Sequence, residues 1–239
     1  MIVPCLVVGA SGDIGSAVAT RLAGTGTMVV MTRSGGPLPP DREAPDGGHW
    51  YDMDVRDSAA VTATVRAICT ELGTAPNLVY CCGRIEDAPI ALCSDAAWQK
   101  VIDVNLTGAF YVLRALARDL MVSGDRRIVL VGSLSARLAS PGQANYSAAK
   151  AGLEALARTA AVEFGRYHVN VNVVAAGAVE SRMVRGTKGS VVERIIENTP
   201  LRRLGSVDEV AAVVQSLLGD AGAYITGQSI VVDGGLSIC

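Results

Sequence analysis

The chain has 239 residues, 50% of them hydrophobic and 18% charged, with a formal net charge of −2. Near-neutral charge argues against a nucleic-acid binder, which presents a basic face, and against an acidic disordered chain. No apolar run reaches the ~20 residues of a membrane span, the start MIVPCLVVGASG lacks the basic lead of a signal peptide, and the length suits one α/β domain. The six cysteines, Cys5, Cys69, Cys81, Cys82, Cys93 and Cys239, form no Cys-x-x-Cys pair. They read as small apolar fillers of a protein in the reducing cytoplasm. The two histidines, His49 and His168, lie far apart, so neither a metal site nor a Ser-His-Asp triad is expected.

In chain order, Ile2–Val8 is a continuous apolar run ending in Gly-Ala-Ser-Gly, which suits a strand buried on both faces of a parallel sheet. Ile14–Ala23 has helical spacing, Met28–Thr32 is a second strand, and the Pro- and Gly-rich Arg33–Gly48 reads as loop. Tyr51–Asp54 ends a third strand, and Ser58–Leu72 is a helix that Ser58 can cap. Asn77–Cys81 is a fourth strand, Ala96–Val122 one long helix, Arg127–Val131 a fifth strand and Asn145–Arg166 an Ala-rich helix. Val169–Val174 is a sixth strand, Ala178–Pro200 is irregular with helical patches, Val207–Leu218 is a helix and Ser229–Val232 the last strand. Alternating strands and helices predict a single doubly wound α/β domain, with helices on both faces of a parallel sheet, the architecture that binds dinucleotides.

Three groups of residues carry chemistry in that frame. The turn Gly9-Ala10-Ser11-Gly12-Asp13-Ile14-Gly15 follows the first strand. Glycines there let the backbone approach a diphosphate, and the next helix offers unpaired N–H groups and partial positive charge. A plain glycine turn is the alternative. The second strand ends Met31-Thr32-Arg33-Ser34 without an acid; Arg33 suits the 2′-phosphate of NADP better than the ribose hydroxyls of NAD. Tyr146 and Lys150 stand at i and i+4 on one helix face. Tyrosine titrates near 10, and a nearby ammonium lowers that value enough for acid–base work. Ser133 falls at the end of the fifth strand, where open α/β sheets place their ligands, and its hydroxyl can hold a substrate carbonyl.

Together these residues resemble the short-chain dehydrogenase/reductase family, from Val7 to Gly235. Ser133 followed thirteen residues later by Tyr146-x-x-x-Lys150 fits its catalytic pattern, and Val104-Asn105-Leu106-Thr107-Gly108 looks like its asparagine motif. Gly142-Gln143-Ala144-Asn145-Tyr146, Leu201–Gly205, Tyr224–Gln228 and Val232–Gly235 look like the 3-oxoacyl-carrier-protein reductase branch.

The resemblance implies roles. Tyr146 would protonate the carbonyl oxygen, Lys150 would lower the Tyr146 pKa and bind the nicotinamide ribose, and Ser133 would orient the carbonyl. Asn105 would hold a water linking Lys150 to solvent. Gly9, Ser11, Ile14 and Gly15 would contact the diphosphate, with Gly12 and Asp13 completing the turn. Asp54 and Val55 would contact adenine. Cys81, Gly83 and Gly177 would border the cofactor, and Val179 and Ser181 would face the carboxamide.

The chain departs from the pattern at three places. Asp13 replaces a glycine, and its carboxylate should repel a diphosphate unless it points away. Tyr80-Cys81-Cys82-Gly83 replaces Asn-Asn-Ala-Gly, removing amides that brace the sheet. Ala176-Gly177 replaces Pro-Gly. The reading implied is an NADPH-dependent reductase of a β-ketoacyl thioester on an acyl carrier protein, homotetrameric, with 178–200 as a substrate lid. The alternatives are a reductase of a free ketone of polyketide, steroid or sugar type, a non-catalytic NADP-binding regulator, and a scaffold. Arg182, Arg185 and Lys188 in the lid are the favoured docking cations for an acidic carrier.

Overall fold

A computed structural model describes residues 3–34 and 48–238. Ile2 of the first expected strand, residues 35–47 of the expected loop and Cys239 lie outside that range. The first half of the chain runs β1 (Cys5–Val8), α1 (Asp13–Ala23), β2 (Val29–Arg33), β3 (His49–Asp52), α2 (Ser58–Leu72), β4 (Asn77–Tyr80), α3 (Asp95–Ile102) and α4 (Gly108–Ser123). The second half runs β5 (Arg127–Ser133), α5 (Ala144–Gly165), β6 (Asn170–Ala176), α6 (Arg182–Arg185), α7 (Gly189–Asn198), α8 (Val207–Leu218) and β7 (Ser229–Val232). Seven strands pair in parallel, in the order β3-β2-β1-β4-β5-β6-β7. The chain builds outward from β1 to one edge, then returns to place β4 on the other side of β1. That reversal opens a crevice at the carboxyl ends of β1 and β4, where such sheets take their ligands.

The apolar runs of the strands are explained by two cores. Side chains alternate across a strand, so Leu6, Val8, Leu78, Tyr80, Ile128 and Leu130 pack with Val65, Leu116, Leu153 and Phe164 of α2, α4 and α5. Cys5, Val7, Val79, Val129 and Val131 pack with Val18, Leu22, Val210 and Val214 of α1 and α8 on the opposite face. Strands covered on both faces need no polar alternation.

Local chemistry corrects three expectations. Asp57, not Ser58, caps α2; its carboxylate accepts the N–H groups of Ala59 at 2.8 Å and Ala60 at 3.1 Å. The expected helix Ala96–Val122 is two helices, α3 and α4, joined by a π turn over Asp103–Thr107. The fifth strand runs two residues further than expected, so that Ser133 is its last residue.

Candidate active site

Strand β5 and helix α5 bring together the residues expected to do chemistry. Ser133 closes β5, its Oγ accepting the Ser135 N–H at 3.2 Å and lying near enough to the Tyr146 hydroxyl to favour its ionised form. Tyr146 and Lys150, one turn apart on the buried face of α5, are only 8% and 2% exposed. The start of α5 is pinned to the loop after β4. Asn145 Nδ2 donates to the Glu86 carbonyl at 3.0 Å, Gln143 Nε2 to the Asp87 carboxylate at 3.2 Å, and the Ala88 N–H to the Gly142 carbonyl at 2.8 Å. The Asn145 Oδ1 accepts the Tyr146 N–H at 2.7 Å. These contacts fix where the Tyr146 ring enters the crevice. Neither Gln143 nor Asn145 stands out in the sequence as a site residue, because their work depends on a loop more than fifty residues away.

Burial dominates the electrostatics. It pushes the Tyr146 hydroxyl above its ordinary value, opposed by the nearby Ser133 hydroxyl and reinforced by the negative charge of Asp87. Burial brings Lys150 down from 10.5 to about 8. The Lys150 Nζ donates to the Val131 carbonyl at 2.8 Å and stands 5.7 Å from the centre of the Tyr146 ring. Burial therefore sets the direction of the Tyr146 shift, and the Lys150 ammonium is turned toward β5. The thiols of Cys81 and Cys82 lie close enough to act on Lys150 when ionised, but burial pushes Cys82 up to about 12 and Cys81 higher still. Both are neutral at pH 7 and leave the lysine unpaired by any thiolate.

The crevice beside this group has the shape a dinucleotide needs. Gly9 has φ +84°, and a Cβ there would lie 2.8 Å from Cys82 Sγ and 2.9 Å from Cys82 N. A Cβ on Gly15 would come within 2.4 Å of the Gly9 carbonyl oxygen. The turn thus packs backbone on backbone and leads into α1, whose cap Gly12 supplies no side-chain bond. Thr32 Oγ1, at the end of β2, is buried without a hydrogen-bond partner among the described residues. A Cβ-free cradle, a helix N-terminus and an orphaned hydroxyl at the strand end fit a nucleotide diphosphate and ribose. Arg33 lies where expected, with its Nε 2.9 Å from Asp52 Oδ1 of the neighbouring strand. Asp54 is held by Arg56, which grips both carboxylate oxygens and lowers its pKa. Val55 is buried against the Gly108 end of α4.

Asn105 and Tyr80 brace the floor. Asn105 is fully buried in the π turn; its Nδ2 donates to the Arg84 and Val101 carbonyls, both at 2.8 Å, and its Oδ1 accepts the Arg84 N–H at 3.3 Å. Both amide protons are used, so a water at Asn105 would have to donate to the second lone pair of Oδ1 or bind the backbone. Tyr80 stands where the family pattern has an amide. Its hydroxyl donates to the Val104 carbonyl at 2.5 Å, tying β4 to the π turn. A Cβ on Gly108 would lie 2.6 Å from that hydroxyl, so the large tyrosine requires the glycine opposite it.

Beyond β6, Gly177 packs on Asp233, and Val179 and Ser181 are buried at 6% and 8% exposure. Val179 bridges to Gly205, and Ser181 Oγ caps α6. A cavity of about 480 Å³ behind α6 and α7 is lined by Ser181, Val184, Arg185, Val192 and Leu204 among others. Ser133, Tyr146 and Lys150 do not line it. Arg182 is engaged with Asp13, while Arg185 and Lys188 are exposed. Among the described residues no cluster could hold a metal ion, and no helix is long and apolar enough to cross a membrane.

This fold and this arrangement define a short-chain dehydrogenase/reductase, and the chain belongs to that family. The family model described as "Enoyl-(Acyl carrier protein) reductase" matches residues 9–237. The chain is 35% identical to the 3-oxoacyl-[acyl-carrier-protein] reductase MabA of Mycobacterium tuberculosis (strain ATCC 25618 / H37Rv), across 98% of its length and 92% of the relative. It is 34% identical to the reductase FabG of Escherichia coli (strain K12), across 97% and 96%. It is 35% identical to human (3R)-3-hydroxyacyl-CoA dehydrogenase, across 97% and 94%. Among solved structures, that of Thermoplasma acidophilum aldohexose dehydrogenase superposes with a TM-score of 0.91 at 26% identity, covering all of this chain and 95% of the other. The protein is an oxidoreductase of CH–OH/C=O chemistry with a nicotinamide cofactor.

Proposed function

We propose that the protein is an NADPH-dependent ketoreductase that converts a β-ketoacyl thioester, delivered on an acyl carrier protein, to the β-hydroxyacyl product. The observation that carries the reading is the meeting of Ser133, the last residue of β5, with Tyr146 on the buried face of α5, and Lys150 buried one turn below. Near-full-length similarity to 3-oxoacyl-carrier-protein reductases supports the substrate class.

A nicotinamide cofactor, when bound, would supply a hydride to the carbonyl carbon. Ser133 donates to the carbonyl oxygen and orients it. Tyr146 passes its phenolic proton to that oxygen as negative charge develops there. A buried, raised tyrosine is protonated at pH 7, the state an acid needs before it donates. Lys150, titrating near 8, is mostly charged at pH 7, steadies the phenolate left behind and holds the nicotinamide ribose. Asn105 fixes the π turn and the chain at Arg84, which form the floor. Gly9, Ser11, Gly12, Ile14 and Gly15 receive the diphosphate, Asp54 and Val55 the adenine, and Cys81, Gly83, Gly177, Val179 and Ser181 the nicotinamide side. Arg33 takes the 2′-phosphate, which selects NADP.

The segment 178–200 acts as the substrate lid of a single reductase domain. We place the enzyme in the cytoplasm, where thiols such as Cys5, Cys69, Cys81, Cys82 and Cys93 stay reduced. We assign it a homotetramer joined through α4 and α5, whose exposed Phe110, Met121 and Val162 offer an apolar surface.

Enoyl reduction, which the family model's description names, would place the proton on carbon. The paired hydroxyls of Ser133 and Tyr146 are instead built to grip an oxygen. Purified protein with NADPH is tested against acetoacetyl and crotonyl thioesters and a free ketone. Oxidation of NADPH with acetoacetyl thioester is expected. Turnover of crotonyl thioester or the free ketone alone would overturn the substrate assignment.

A further inference from the structure

The carboxylate of Asp13 poses a problem: it opens the helix that is to receive an anionic diphosphate. In the structure it turns to the lid. Asp13 Oδ2 accepts the backbone N–H of Arg182 at 2.6 Å, Asp13 Oδ1 accepts Arg182 Nε at 3.0 Å, and Arg182 Nη2 donates to the Ser11 carbonyl at 2.8 Å. These three bonds join segments about 170 residues apart, one from the glycine turn and one from the first residue of α6.

We propose that Asp13 and Arg182 are a positioning pair that fastens the start of the substrate lid to the glycine turn and cancels the turn's negative charge where the cofactor diphosphate binds. The proposal rests on the reading of that turn as the diphosphate site. An exposed ion pair usually contributes little, and the Arg182 side chain is 56% exposed. This pair differs in two respects. The Asp13 side chain is only 13% exposed. One of its oxygens also satisfies an N–H at the start of α6 that no residue within that helix can reach. The other side of the segment is tied by the Glu180 N–H to the Gly205 carbonyl at 2.9 Å, and by the Gly205 N–H to the Ala178 carbonyl at 3.0 Å. Residues 178–182 are thus held from both sides, and Arg182 is the tether on the cofactor side. A carboxylate that alone would repel the diphosphate becomes the anchor of the lid, and the guanidinium it recruits sits on the same turn.

The test uses Asp13→Asn, Arg182→Gln and the double variant, with NADPH affinity by fluorescence titration at two salt concentrations. Arg182→Gln should weaken NADPH on the order of tenfold, more at low salt, because a charge beside the diphosphate is removed. Asp13→Asn should leave the affinity within a few-fold, and the double variant should lie close to wild type instead of showing the roughly tenfold loss that additivity gives. Such non-additivity marks a coupled pair. Tryptic cleavage after Arg185, Lys188 and Arg194 should be faster in both single variants, and KM for acetoacetyl thioester should rise more than kcat falls. Additive effects on NADPH, or unchanged cleavage in both single variants, would overturn the pair. If wild-type protein binds no nicotinamide cofactor, the reading of the turn fails, and the cleavage rates still decide whether the pair holds the lid.

Discussion

Replacing Lys150 by methionine should make the protein more stable and less active. The side chain is 2% exposed and titrates at about 8 instead of 10.5. Where the folded pKa lies below the unfolded one, the unfolded chain binds more protons between the two values, and stability rises with pH across that window. Below pH 8 both states hold the proton, and the folded state carries the full cost of a buried ammonium. At about 1.4 kcal/mol per factor of ten, that cost is about 3 kcal/mol at pH 7 and falls to about 1 kcal/mol at pH 9.5. Methionine keeps the length of the side chain and removes the charge, but it also removes the donor at the Val131 carbonyl, a loss of about 1 kcal/mol. The net gain at pH 7 is then about 2 kcal/mol, a rise in Tm of about 4–8 °C for a chain of this size. At pH 9.5 the gain should nearly vanish. Thermal and urea unfolding of both proteins without added cofactor, at the two pH values, measure it, with NADPH turnover followed in parallel. A methionine variant less stable at pH 7, or a margin indifferent to pH, would refute the reasoning.

Arg33→Ala should weaken NADPH and leave NADH nearly unchanged. Because Asp52 already shares the guanidinium, the loss should be about tenfold, the low end of a charge-assisted phosphate contact; equal losses for both cofactors in parallel titrations would give Arg33 a structural role. Asn105→Ala removes three hydrogen bonds from a fully buried site and should cost about 2–4 kcal/mol in urea unfolding, whereas a cost near zero would show that the π turn holds without it. Arg185→Glu with Lys188→Glu should raise KM for carrier-bound substrate in a salt-dependent way and spare a small free thioester. Equal losses on both substrates would mark a distorted lid instead.

The parts of the fold legible in the sequence are those with a one-dimensional signature. The runs through Cys5–Val8, Leu78–Val79 and Ile128–Val131 announce strands covered on both faces, and the Tyr146–Lys150 spacing is fixed by the helix that carries it. The break at Asp103–Thr107 has no such signature. Apolar positions continue on either side of it, and the turn holds Asn105, whose side chain bonds a loop twenty-one residues earlier. Asp13 shows the same limit. Its sequence neighbours make it an intrusion in a phosphate-binding turn, and only the return of the chain at Arg182 supplies its partner. Tyr80 looks like a lost brace until its hydroxyl meets the Val104 carbonyl. The Ser58 cap expectation failed for a smaller reason: a serine and an aspartate stand side by side, and either can cap. The carboxylate one residue earlier reaches two N–H groups.

The account turns on Tyr146 as the proton donor of a ketoreductase. The most direct test is NADPH oxidation with acetoacetyl thioester by wild type and by Tyr146→Phe, with NADPH affinity measured for both. The phenyl ring keeps the packing and loses only the hydroxyl that faces Ser133. The expected result is a fall in kcat of roughly 10²–10⁴-fold with NADPH affinity unchanged. Wild-type turnover retained by the phenylalanine variant would contradict the account.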